Sequence, residues 1–198
     1  MGPASSSKSI RPGRWRISLV GGLAVGLAVA GAIALVVWPA GRDAAAARRA
    51  VSEGRLDEAS EALRRWLRAS PRSAEAHYLK ARVAWARRDL PGVQQELERA
   101  RALGYPADRM ERLFGLLLAR TNRNGEAEPL LKRAFEAGRE ADPEVAEALA
   151  RIYLGSFRLN EAGAVLDRWA REVPRDARPY LLRTEVDPGR YILGRAVS

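Results

Sequence analysis

The 198-residue chain carries 34 Lys and Arg against 24 Asp and Glu, a formal net charge of +10, with one histidine and no cysteine. Without cysteine there are no disulfides, thiol nucleophiles or Cys-ligated zinc sites, and a single histidine leaves little for histidine-based triads. About 160 residues follow position 40, enough for one domain with a sizeable core.

The first sixteen residues hold Lys8, Arg11, Arg14 and Arg16 and no acidic side chain. From Ile17 to Trp38 no residue is charged. At about 1.5 Å per residue a helix of this length reaches roughly 33 Å, the hydrocarbon thickness of a bilayer. Trp15 and Trp38 flank the run as an aromatic belt would. The run exceeds the roughly 7–15 residues of a secretory h-region, although Ala44 and Ala46 could form a small-x-small cleavage site. The expectation is an uncleaved transmembrane helix over 17–38, with the lipid bilayer as a partner. The cation bias keeps tail 1–16 cytoplasmic and sends the rest across, as on the periplasmic side of a bacterial inner membrane. Ser18, Gly22, Gly26, Ala30 and Ala34 form a small-residue stripe at intervals of four, which suits homo-oligomer formation through that helix.

Beyond it the sequence repeats. "GRLDEASEALRRW" from Gly54, "RDLPGVQQELERA" from Arg88, "NRNGEAEPLLKRA" from Asn122 and "FRLNEAGAVLDRW" from Phe157 align without gaps, at spacings of 34, 34 and 35. One column reads Ala59, Val93, Ala127, Ala162, and four residues later another reads Leu63, Leu97, Leu131, Leu166. Spacing of four puts both on one helix face. An upstream column of small residues, Ala47, Ala81, Gly115 and Ala150, predicts a second helix per unit that approaches its neighbour closely. Pro71 and Pro174 close two units, and Ser73, Asp108 and Asp176 are expected N-caps. "DARPYLLRTEV" from Asp176 reads as the first helix of a fifth unit, stopped by Pro188-Gly189.

These columns resemble the tetratricopeptide repeat, a 34-residue helix-turn-helix unit with small residues at positions 8, 20 and 27, a large apolar residue at 24 and Pro at 32. The resemblance implies an all-α solenoid of about four units plus a terminal helix over 39–183, followed by a tail over 184–198. Two departures stand out. Trp66 and Trp169 occupy position 27, so the packing column must open or the rings must lie over the neighbouring unit. The aromatic usual at position 4 is replaced by Asp43, His77, Glu111 and Ala146.

The resemblance also implies a ligand groove lined by the first helices: Ala44, Arg48 and Val51; Glu75, Tyr78, Arg82 and Trp85; Arg112, Leu116 and Arg120; Glu147, Arg151 and Leu154. Guanidinium groups among apolar surface suit an extended acidic peptide. The terminal-carboxylate clamp of the chaperone-binding branch is not expected, because Tyr78 and Arg82 stand where it needs Lys and Asn.

No catalytic constellation, cofactor or metal site is expected. The carboxylates Asp57, Glu58, Glu61, Glu126 and Glu128 lie among arginines as a salt-bridged surface would. His77 has no second ligating side chain four residues on and reads as a packing or surface residue. Removing the four N-terminal cations leaves about +6, spread among acids, which disfavours nucleic acid. The functional expectation is a membrane-anchored scaffold or assembly factor that binds a polypeptide. The alternative class is a basic helical module for nucleic acid or anionic membrane surface.

Overall fold

A computed structural model describes residues 41–138 and 141–186. Nine helices run through them: α1 over 41–52, α2 Leu56–Ala69, α3 Ala74–Ala86, α4 Leu90–Ala102, α5 Ala107–Arg120, α6 Asn124–Ala137, α7 Pro143–Gly155, α8 Leu159–Glu172 and α9 Arg178–Val186. From α2 onward each helix packs on the next, α1 shares an apolar zone with α2 and α3, and α7 also touches both α5 and α9. The odd-numbered helices thus form an inner row and the even-numbered ones an outer row, four helix-turn-helix units with α9 opening a fifth.

The repeat columns are the core. Ala59, Val93, Ala127 and Ala162 are fully buried, as are Leu131 and Leu166, with Leu63 and Leu97 scarcely less so. In the facing helices Ala47, Ala81 and Ala150 are fully buried too. Gly115 completes that column for a steric reason: a Cβ there would come within 3.0 Å of the Leu131 side chain. Three apolar zones result, one across α1 to α3, one across α3 to α5 and one across α5 to α9. A stack of this kind is stabilised unit by unit, because each pair can bury its apolar face only against the next.

Trp66 and Trp169 fit because small residues make room. Trp66 shares its zone with Ala44, Ala47, Ala50 and Ala76. Trp169 shares its zone with Ala141, Ala146, Ala150 and Leu182 of α9. The indoles therefore reach the neighbouring unit, and the Arg48 and Arg178 guanidinium groups lie 5.5 and 5.1 Å from their respective ring centroids.

The turn inside each unit is the same Schellman closure. The residue after it donates five residues back, as in Arg55 N–H to Ala50 O, Asp89 to Ala84, Arg123 to Leu118 and Arg158 to Tyr153, each at 2.9 Å. This geometry needs a left-handed residue, supplied by Gly54, Arg88, Asn122 and Phe157 with φ of 71°, 61°, 59° and 57°. Glycine adopts it freely and asparagine tolerates it, whereas other L-residues lose roughly 1–2 kcal/mol. Phe157 is also 87% exposed, so its ring returns little packing energy. Phe157→Gly is therefore expected to raise stability by roughly 0.5–1 kcal/mol, read as a higher urea midpoint; an unchanged or lower midpoint would count against backbone strain at this turn.

Position 4, where an aromatic was missing, holds helix pairs together by charge. Asp43 accepts from Arg65 at 2.8 Å and Glu111 from Arg133 at 2.9 Å, each joining the two helices of one unit. In the second unit His77 Nδ1 lies 2.6 Å from Glu96 Oε2, and Glu96 Oε1 accepts from Arg99 at 3.0 Å. Arg65, Arg99, Arg133 and Arg168 form a column of their own. In the fourth unit position 4 is Ala146, and Arg168 instead donates to the Phe135 and Gly138 carbonyls, both at 2.8 Å.

Several expectations are corrected. Asp108 lies within the first turn of α5, whose N-cap is Pro106. Ser73 does cap α3, and Asp176 accepts from Arg178 N at 3.0 Å at the start of α9. Asp89 and Asp142 are side-chain caps that had not been anticipated. The fold class with a transmembrane helix, and the single-pass membrane localisation built on it, do not stand: among the described residues no helix is long and apolar enough to cross a membrane. The longest of these helices have 14 residues, about 21 Å, against a hydrocarbon core of roughly 30 Å, and each carries charged side chains. The stretch 17–38, with Ser18, Gly22, Gly26, Ala30 and Ala34, lies outside the described residues.

Candidate functional site

The inner row of helices is laced by ion pairs from one unit to the next. Arg48 of α1 donates through Nε and Nη2 to the two carboxylate oxygens of Glu75 on α3, both at 2.6 Å. Arg112 of α5 reaches Asp142 at 2.5 Å and Glu144 of α7 at 3.0 Å. Arg178 of α9 reaches Glu147 of α7 at 2.8 Å, and Arg151 donates to the same glutamate at 3.1 Å. The Trp85 indole N–H points at Glu144 Oε2 at 3.4 Å, linking α3 to α7.

These contacts shift the acids. The hydrogen bond from Arg48 holds the Glu75 carboxyl below its ordinary range. Burial pushes Asp142 upward, but the bonds from Arg112 and from the Val145 and Glu144 backbone outweigh it, and the net shift is downward. Of the five arginines expected in the groove, Arg48 and Arg112 are thereby committed to joining one unit to the next, and Arg151 pairs within its own helix.

Of the anticipated residues, Trp85, Leu116, Arg120, Glu147 and Arg151 come together. They line an open cleft of about 610 Å³ with Ala119, Ala148 and Ile152. Arg82 and Arg112 border a smaller cleft of about 200 Å³ beside it, which shares Trp85 and Glu144. Arg48 and Tyr78 line neither; Tyr78 stacks on Tyr105, with ring centroids 4.5 Å apart.

The sequence reading missed Arg88, Asn122, Asn124, Glu144 and Arg178, which also border the larger cleft. Position 2 carried a usable signal: it reads Glu75, Arg109, Glu144 and Arg178, and three of these four face an opposite charge on the preceding inner helix. Arg88, Asn122 and Asn124 lie in or next to the turns, where the repeat register gives no expectation of groove contact. Among the described residues no group of three His, Asp or Glu side chains could hold a metal ion.

The tetratricopeptide repeat family matches residues 44–107 and again 118–186, together more than half of the chain. A solved structure, YrrB, described as a TPR protein with an unusual peptide-binding site, superposes with a TM-score of 0.55 at 19% identity, over 73% of this chain and 74% of that one. TTC0263, a thermophilic TPR protein of Thermus thermophilus, gives a TM-score of 0.48 at 22% identity, over 71% and 77% of the two chains. No curated protein matches. With both halves of its repeat array matched, the chain belongs to the tetratricopeptide repeat family.

Proposed function

We propose that the protein is a non-enzymatic interaction scaffold that holds an extended polypeptide segment in the cleft between α3, α5 and α7. The observation that carries this reading is the cleft itself, about 610 Å³, open, and walled by side chains of the inner helices α3, α5, α7 and α9, with Trp85, Leu116 and Ile152 in its apolar part. The fold is a protein-interaction module, and YrrB, which shares it, is described as having a peptide-binding site. A few apolar side chains within a mostly polar lining can seat side chains of a peptide while the polar ones meet its main chain. The pairing of Arg48, Arg112, Arg151 and Arg178 with carboxylates leaves fewer free cations on this face for a phosphate backbone, which binds through uncommitted ones.

A photoreactive residue placed at Ala148 in the full chain is expected to cross-link a defined polypeptide in cells. The same residue at Arg64, on the outer surface of α2, is expected to capture none. Identical recovery from both positions, or none from Ala148, would overturn the groove.

A further inference from the structure

The outer row of helices meets in seams that repeat with the units, and two successive seams differ at one place. Tyr153 of α7 lies where α6 meets α8, among Glu128 and Glu136 of α6 and Arg158 and Glu161 at the head of α8. Its ring is only 4% exposed. The Arg158 guanidinium lies 4.5 Å from the ring centroid and donates to Glu128 at 2.7 Å. Phe135 of α6 is buried in the same apolar zone. This seam is closed by rings, one of them beneath a cation, a pairing that gains strength as water is excluded.

One unit earlier, between α4 and α6, the corresponding place is open. Leu118 stands where Tyr153 does and the exposed Arg101 where Phe135 does, 35 and 34 residues before them. What remains is a slot of about 340 Å³ floored by α5, with Leu97, Met110, Leu117 and Leu118 in its apolar wall and Glu98 and Arg123 at its rim. The slot falls at the junction of two apolar zones: Leu97, Met110 and Leu117 belong to the one across α3 to α5, and Leu118 to the one across α5 to α9. Helix α5 thus turns Leu116 and Arg120 to the groove and Leu117 and Leu118 to this slot.

Arg123 is the counterpart of Arg158. It holds Glu126 through Nε at 2.8 Å and Nη2 at 2.7 Å, as Arg158 holds Glu161. Among the described residues its guanidinium covers no ring. The seam between α2 and α4 is open as well, about 600 Å³ with Ala84 in the ring's place. There Asp89 replaces the arginine and is spent on capping α4. Of the three seams, the one between α4 and α6 combines open apolar space with a cation placed to cover a ring.

We infer that the slot between α4 and α6 is a second docking site, separate from the groove, that takes an aromatic side chain of a partner polypeptide beneath Arg123, as Tyr153 is seated beneath Arg158. The inference does not depend on the groove reading. The size agrees, since about 150 Å³ of Leu- and Phe-lined space accepts a benzene ring. An aromatic side chain seated in a pocket is also the usual anchor of a protein interface.

The test uses the full chain with 13C in its methionine methyl groups. The sequence has two methionines, Met1 and Met110, so Met110 gives a signal of its own in the slot. N-Acetyl-tyrosinamide is expected to displace that signal saturably through its ring current, with an affinity about fivefold above that of N-acetyl-leucinamide. Leu118→Tyr supplies the ring from within and should abolish the response while melting no lower than wild type. Arg123→Ala, at an exposed position, should weaken it about threefold. Equal affinity for the two probes, or a response that survives in Leu118→Tyr, overturns the slot.

The source of the ring is read in cells from a photoreactive residue at Glu98. Wild type is expected to capture a polypeptide whose cross-linked stretch carries Tyr, Trp or Phe. Changing that residue to Ala in the partner should remove the capture, and so should Leu118→Tyr in this chain, while capture from Ala148 persists. Capture of this chain itself through its exposed Phe157 overturns the foreign partner, and no capture from Glu98 overturns the polypeptide assignment.

Discussion

Trp169→Ala is expected to cost about 3–5 kcal/mol, the usual range for deleting a fully buried indole, and to spend that loss locally. Trp169 has no solvent exposure and ends α8 against α7 and α9, in the zone containing Val145, Leu149, Leu166 and Leu182. The same turn of α8 bridges units: Arg168 holds the Phe135 and Gly138 carbonyls, and Glu172 accepts from the Ala141 amide. Loosening the indole therefore loosens the seam between the third and fourth units, and α9, which has no following helix among the described residues, loses its seat.

In a stack whose helices pack chiefly on the neighbouring units, α1 to α4 should keep their protection while α8 and α9 exchange freely. Hydrogen exchange by peptide mass spectrometry checks this. Uniform loss of protection would show that the array melts as one body. Trp169→Phe is the informative companion: it keeps an aromatic ring in the slot and gives up an indole N–H that makes no hydrogen bond of good geometry and contributes least among the groups holding the Asp176 carboxyl low, so it should be far milder.

How much of this was legible depended on whether a residue's role is repeated. The Leu63, Leu97, Leu131, Leu166 column and its small-residue partners recur at a fixed period and face the same environment each time, so their burial follows from spacing alone. Trp66 and Trp169 were legible as departures, and their accommodation by surrounding alanines was one of the two outcomes expected. The groove was only half legible. Register places Arg48, Arg112 and Arg151 on the inner face, but whether an arginine reads a ligand or braces a neighbour depends on the charge at the start of the next inner helix. Glu75 and Glu144 settle it one way; Arg109, in the place facing Arg82, leaves that arginine unpaired among the described residues. The turns were the least legible. Left-handed backbone at Gly54 announces itself, whereas the same conformation at Arg88 and Phe157 has no sequence signature beyond alignment with that glycine.

Glu96→Ala is expected to lose about 2–4 kcal/mol, toward the lower end of what breaking a buried charged network costs. Glu96 is 2% exposed on α4 and gathers three partners: His77 Nδ1 at 2.6 Å, Lys80 Nζ at 2.9 Å and Arg99 Nη1 at 3.0 Å. Lys80 and Arg99 are about half exposed and can return to water when the carboxylate goes; the buried His77 cannot, and its other nitrogen lies 3.2 Å from the Pro71 carbonyl. That residual contact of the network sets the lower bound.

The same site gives stability a pH dependence of known sign. Burial alone would push the Glu96 carboxyl upward, but the hydrogen bonds from His77 and Lys80 and the Lys80 charge outweigh it, and the folded value falls below the ordinary one. A carboxyl held low in the folded state binds fewer protons there than in the unfolded chain, so its contribution is complete above the unfolded value, about 4.3, and disappears as pH falls through the folded one. Wild type should therefore lose stability as pH falls below about 5, with Asp142 and Glu75, also held low, adding to the slope. Glu96→Gln keeps the volume and removes the titration, so its curve should be flatter over that window and meet wild type at the acid end. Parallel curves for the two proteins would place the acid sensitivity elsewhere. A His77→Ala, Glu96→Ala double-mutant cycle then isolates the coupling, which should be well above the few tenths of a kcal/mol expected of independent sites.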